Sequence, residues 1–128
     1  MDAQKGALAG VRVLDLTRVL AGPYSTMILS DMGAEVIKIE QPEKGDDTRH
    51  LGPFVHGESL YYMTNNRNKY GVTLNLKASE GKEIFKELVK KSDLVIENYR
   101  PGTMEKLGLG YDILKEVNPR IIYGSISG

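Results

Sequence analysis

Residues 11 to 40 read VRVLDLTRVLAGPYSTMILSDMGAEVIKIE, and this stretch decides the fold. VRVLDL (11–16) is β-rich and mostly apolar, the pattern of a buried strand. Gly22-Pro23 opens a helix, with proline in the first turn, where a missing N–H does no harm. Met27, Ile28 and Met32 fit one helical face, and Gly33 is a stop signal. EVIKIE (35–40) is a second strand. Strand, helix, strand in 30 residues is a βαβ unit, and such units build parallel sheets with right-handed crossovers.

The alternation continues. QPEKGDDTRHLGPFVHGE (41–58) reads as a long polar loop, longer than a connector needs. SLYYMTNN is a short helix, and GVTLNL (71–76) alternates as a strand. SEGKEIFKELVKKS, from Ser79, is the best helix in the chain. Ile84, Phe85, Leu88 and Val89 recur at helical spacing, with acids early and lysines late, as the helix dipole favours. LVIE (94–97) is the next strand and NYRPG its exit turn. TMEKLG and YDILKEV are two short helices, and IIYGSI (121–126) is the last strand. The expected architecture is a Rossmann-like, doubly wound, mainly parallel sheet with helices on both faces. It forms one domain over residues 1–128. Ligands of such sheets lie outside the carboxyl ends of the strands. TRVLAG, QPEKGDD, KAS and NYRPG reach that edge.

Composition narrows the function. The 128 residues carry 17 basic and 17 acidic side chains, a formal net charge of zero. That balance argues against nucleic-acid or acidic-membrane partners, which need a positive field. There are no cysteines. Disulfides and the usual structural zinc sites are therefore excluded, and a cytoplasmic location is expected. No apolar run approaches membrane-spanning length. His50 and His56 lack metal-site spacing, so no metal site is expected. The adjacent acids Asp46 and Asp47 read as solvated loop residues, and Arg49, Arg67 and Lys69 as surface charge. No nucleophile with an evident base is found, and no G-x-S-x-G elbow.

The loop after the first strand, T-R-V-L-A-G-P, lacks G-x-G-x-x-G. Val19 and Leu20 stand where a dinucleotide needs bare backbone. Glu40 occupies the place of a ribose-binding acid, which alone does not restore that site. An anion site at the helix opening is open, beside the small Ala21 and Gly22. Val19 and Leu20 offer either an apolar ligand surface or ordinary core. In NYRPG, Tyr99 suits stacking and Arg100 suits a phosphate. Lys106, a turn further on, suits either that phosphate or solvent.

Five segments in order, VRVLDLTRVLAGP, GAEVIKIEQPEKGDDTR, NRNKYGVTLNLK, VIENYRPGTMEKLGLGY and NPRIIYGSISG, resemble the N-terminal part of class III coenzyme A transferases. That family includes formyl-CoA, carnitine and succinyl-CoA:glutarate CoA-transferases. The resemblance runs from about Gly10 to the last residue. It implies transfer of CoA between an acyl-CoA and a carboxylic acid, with coenzyme A as substrate and no prosthetic group. It implies CoA contacts at Val19, Leu20 and Ala21, at Leu74, Asn75, Leu76 and Lys77 near the adenosine end, and at Asn98, Tyr99, Arg100 and Lys106. Gln41 stands where relatives commonly carry arginine, with Lys44 a substitute, and Leu20 where formyl-CoA transferases carry glutamine. The family's catalytic aspartate lies beyond the SISG segment, so no catalytic residue is assigned here. The 128 residues are expected to be the inactive CoA-binding part of a longer two-domain chain, whose parent is an interlocked homodimer. A 2-methylacyl-CoA racemase of the same superfamily, or a non-catalytic nucleotide-binding module, are the alternative readings.

Overall fold

The computed structural model describes residues 5–127. Five strands form one parallel sheet: β1 (Arg12–Asp15), β2 (Glu35–Glu40), β5 (Tyr70–Thr73), β6 (Leu94–Glu97) and β7 (Ile122–Ser125). A two-stranded antiparallel hairpin, β3 (Phe54–Val55) and β4 (Glu58–Ser59), lies in the connection from β2 to β5. The helices are α1 (Ala21–Asp31), α2 (Leu60–Asn66), α3 (Ser79–Lys90), α4 (Thr103–Lys106) and α5 (Tyr111–Val117). The parallel strands run in the order β5-β2-β1-β6-β7. The chain winds outward one way from β1 through β2 to β5, then returns to β6 on the other side. The winding direction therefore reverses between β1 and β6, and a crevice opens at such a point.

Side-chain alternation sorts the strand residues between two faces. Leu14, Leu16 and Val95 pack with Phe85 and Val89 of α3 and Leu114 of α5. Val13, Val36 and Ile96 pack on the opposite face, against Leu29 of α1. Asp15 and Lys38 follow the same alternation as Val13 and Val36, and they face each other in the β1–β2 register. Both are fully buried, so the α1 face is apolar at its lower end and charged at its upper end.

Two expectations are corrected. The third parallel strand ends at Thr73, not Leu76. The Leu74 amide still donates to Glu40 O, at 2.9 Å, but the chain then turns so that Asn75 Oδ1 accepts from the Lys77 amide. Residues 41–58 are not plain loop. They hold a 3₁₀ turn (Asp47–His50), capped by Asp46, as well as the hairpin. The many glycines and charges hid these short elements, which depend on side-chain caps rather than periodicity.

Candidate functional site

A cavity of about 380 Å³ opens at the carboxyl ends of β1 and β2, beside the β1–β6 reversal. Thr17 and Arg18 after β1, Glu40 to Pro42 with Gly45 and Asp46 after β2, Leu74 to Lys77 after β5, and Tyr99 after β6 line it; Thr103 and Leu107 close one side. A volume of that order suits a small-molecule site, in which apolar walls bury the ligand and a few polar groups orient it.

The loop after β1 has its backbone groups held by side chains. The Arg18 amide donates to Asn98 Oδ1 at 2.9 Å, and Asn98 Nδ2 donates to Arg18 O at 2.7 Å. The Val19 amide donates to Asp46 Oδ1 at 3.2 Å, and Lys38 Nζ donates to Thr17 O at 3.2 Å. Val19 has φ of 73°, a left-handed conformation that a β-branched residue rarely adopts. The Arg18 guanidinium lies 4.0 Å from an Asp47 carboxylate oxygen and 5.3 Å from the centroid of the Tyr99 ring. Burial pushes the Tyr99 phenol up, against the pull of Arg18, so the ring stays neutral at physiological pH.

Beneath this loop lies a buried polar network. Lys38 Nζ donates to Asp46 Oδ2 at 2.6 Å and to Asn66 Oδ1 at 2.9 Å. Asn66 Oδ1 also accepts from Lys69 Nζ at 2.9 Å, and Lys69 donates to Asp15 Oδ2 at 3.0 Å. Asp15 accepts further from the Thr17 amide and from the Thr17 and Thr26 hydroxyls. Burial pushes the Lys69 amine down, although Asp15 opposes this. Burial also works to raise Asp46, yet hydrogen bonds from Lys38 and Thr48 outweigh it and hold that carboxyl below its ordinary value. Pairs this deep contribute little net stability over apolar replacements, and breaking one leaves a buried charge.

Two glycines let the backbone close around the site. A Cβ on Gly22 would lie 2.3 Å from Thr17 Cβ, so α1 packs directly on the loop after β1. A Cβ on Gly81 would lie 1.9 Å from Asn75 O, so α3 packs directly on the loop after β5.

Of the residues singled out in the sequence, Leu74, Asn75, Leu76, Lys77 and Tyr99 line the cavity. Asn98 lies behind the wall, its amide committed to Arg18. Val19, Leu20, Ala21, Arg100 and Lys106 are exposed outside the lining. Val19 and Leu20 are 39% and 50% exposed, so neither belongs to the core formed by the described residues. The helix opening is also outside the cavity, with Gly22 and Pro23 packed inward. Asp46 is buried rather than solvated, and the Lys69 side chain is only 2% exposed. Arg49 does lie at the surface, its Nε 3.0 Å from a Glu40 oxygen and its guanidinium 3.8 Å from the Tyr62 ring centroid. Arg67 pairs with Asp31 at 2.7 Å, also at the surface. Sequence reasoning passed over Lys38, Asn66 and Arg18. The lone lysine in the apolar run EVIKIE, facing the aspartate of VRVLDL, was the available signal. Among the described residues no group of three or more His, Cys, Asp or Glu could hold a metal ion, and no helix is long and apolar enough to cross a membrane.

Comparison with known proteins identifies the lineage. The human succinyl-CoA:glutarate CoA-transferase is 55% identical over 122 residues, covering 94% of this chain and 28% of that protein. The acetyl-CoA:oxalate CoA-transferase of Acetobacter aceti is 52% identical over 124 residues, covering 97% of this chain and 32% of that protein. Among solved structures, a CAIB/BAIF family protein from Brucella suis superposes with a TM-score of 0.91 at 45% identity, over 98% of this chain and 34% of that one. The chain thus spans about a third of the length of the relatives it matches. A family model described as CoA-transferase family III matches residues 8–128, and this chain belongs to that family.

Proposed function

We propose that residues 1–128 are the CoA-binding part of an enzyme that moves CoA between an acyl-CoA and a carboxylic acid. The observation that carries this reading is the cavity at the β1–β6 reversal, lined by Leu74 to Lys77 and Tyr99, in a chain of this family. A flat adenine can lie against Leu74, Leu76 and the Tyr99 ring. The phosphates can reach Arg18, Lys77 and, at the rim, Arg100 and Lys106 through charge-assisted hydrogen bonds. Val19, Leu20 and Ala21 continue the exposed wall toward the pantetheine arm, and Asn98 braces it. CoA here is a substrate, and the acceptor is a small dicarboxylic acid, as the names of the glutarate and oxalate relatives suggest. The carboxylate that would carry out covalent acyl transfer belongs to the rest of the protein, which we read as cytoplasmic and homodimeric.

Calorimetric titration with CoA tests the reading. The protein should bind CoA, and Arg100→Ala and Lys77→Ala should each weaken binding by about 1.5–3 kcal/mol, the worth of a hydrogen bond to a charged group. Absence of CoA binding, or unchanged affinity in both variants, would remove this site from the account.

A further inference from the structure

Asp46, a buried residue of the cavity wall, and Lys38 behind it have no part in the ligand contacts just described. Their bonds lead upward, to the loop after β1. Asp46 Oδ1 accepts from the Val19 amide at 3.2 Å, and from the Thr48 amide and hydroxyl at 2.9 and 2.8 Å. Its other oxygen takes Lys38 Nζ at 2.6 Å, and the same Nζ reaches Thr17 O at 3.2 Å. One ion pair therefore grips the loop at both ends of Thr17–Val19. It grips a carbonyl at the start and an amide at the end, while Asn98 holds both backbone groups of the residue between.

That grip falls where the chain needs it. Val19 sits at φ 73°, a conformation that persists only where the surroundings over-determine it. The Val19 amide lies next to the peptide that sets Arg18, and Arg18 lines the cavity beside Tyr99. Neither Lys38 nor Asp46 extends to the exposed rim; they are 1% exposed, and every bond of theirs described above is internal. Asn66 further ties Lys38 to Lys69, and Lys69 to Asp15 under the same loop.

We infer that the Lys38–Asp46 pair is a positioning device for the ligand loop, fixing Thr17–Val19 so that Arg18 meets the CoA phosphates in a set orientation. This rests on the CoA reading above. The pair acts through the backbone: loss of the Asp46 carboxylate releases the Val19 amide, lets φ relax to a negative value and swings Arg18 away from Tyr99. A purely structural ion pair would lower stability and leave CoA affinity and the Val19 amide unchanged in the folded protein.

The experiment measures CoA affinity by calorimetry and amide hydrogen exchange by NMR in wild type, Asp46→Ala, Asp46→Asn and Val117→Ala. Asn at 46 keeps an oxygen for the Val19 and Thr48 amides; Val117, on α5, is a packing control remote from the loop. Partners that orient metal ligands typically change affinity by about 10–100-fold; by the same positioning logic Asp46→Ala is expected to weaken CoA about tenfold. It should also speed Val19 exchange beyond the shift in global stability. Asp46→Asn keeps the acceptor but loses the charge that holds Lys38, so it should recover part of both and stay measurably short of wild type, and Val117→Ala should change neither beyond its global effect. If Asp46→Ala does not fold, Asp46→Asn against Val117→Ala decides: a CoA loss confined to the former, with faster Val19 exchange, supports the device. Wild-type-like affinity and a protected Val19 amide in the Asp46 variants overturn it, as does equal weakening in Val117→Ala. Should wild type fail to bind CoA, the functional reading falls, and Val19 exchange alone still decides whether Asp46 holds the loop.

Discussion

Asn98 closes the chain reversal by bonding both backbone groups of Arg18, taking its N–H at 2.9 Å and donating to its C=O at 2.7 Å. The two residues lie in the loops that follow β1 and β6, adjacent strands between which the winding changes direction. The side-chain amide substitutes for a sheet ladder that cannot extend into the crevice. Asn98→Asp keeps the acceptor and loses the donor, leaving the Arg18 carbonyl facing a carboxylate. Stability should fall by about 1–3 kcal/mol, the cost of an unsatisfied buried group, and CoA binding should weaken with it. Denaturant unfolding checks the first and calorimetry the second.

Asp46 makes stability depend on acid in a definite direction. Its folded pKa lies below its ordinary value because Lys38 and Thr48 bond the carboxylate more strongly than burial opposes it. The unfolded chain therefore takes up this proton first as pH falls. The Asp46 contribution is fully present above about pH 4, the unfolded value, and is lost as pH drops through the folded pKa. Asp46→Asn should be less stable than wild type near neutrality, with the two curves converging below about pH 4. Parallel curves from pH 7 to pH 2 would contradict the assignment.

Gly81 offers a test in which two effects oppose. Alanine ordinarily favours a helix interior by about 1 kcal/mol over glycine. Here the added Cβ would lie 1.9 Å from the Asn75 carbonyl oxygen, a backbone atom, so something has to shift. The clash wins, because overpacking a tight contact typically costs about 1–3 kcal/mol. Gly81→Ala should lower the unfolding midpoint and weaken CoA binding, since Asn75 lines the cavity.

Lys69→Met removes the cation and retains the stem. Asp15 would remain fully buried with only the Thr17 and Thr26 donors. Breaking one partner from a buried pair costs about 3–5 kcal/mol, and thermal unfolding should register a loss of that order. The double variant Asp15→Asn, Lys69→Met, with no buried charge left at that pair, should recover part of it.

The parallel architecture was legible because its strands and long helices carry their own periodic signals. EVIKIE and LVIE form strands over the residues their patterns predict, and the helix begins at Ser79. GVTLNL misled because its alternation runs on past Thr73, where the hydrogen bonds of Asn75 turn the chain. Within the site, the segments after β5 and β6 were legible as motifs. The network under the loop was not. A lysine in an apolar strand reads as a solvated charge until the register sets it opposite Asp15 and α2 brings Asn66 to it. Asp46 likewise looks like half of an acidic loop pair; only the packed fold buries it and leaves Asp47 outside.

The central claim is that the crevice at the β1–β6 reversal takes CoA. Titrating isotopically labelled protein with CoA and following backbone amide shifts tests it most directly. The account predicts saturable changes concentrated at Thr17, Arg18, Leu74 to Lys77 and Tyr99. No saturable change, or changes concentrated elsewhere, such as along the outer edge of β7, would contradict it.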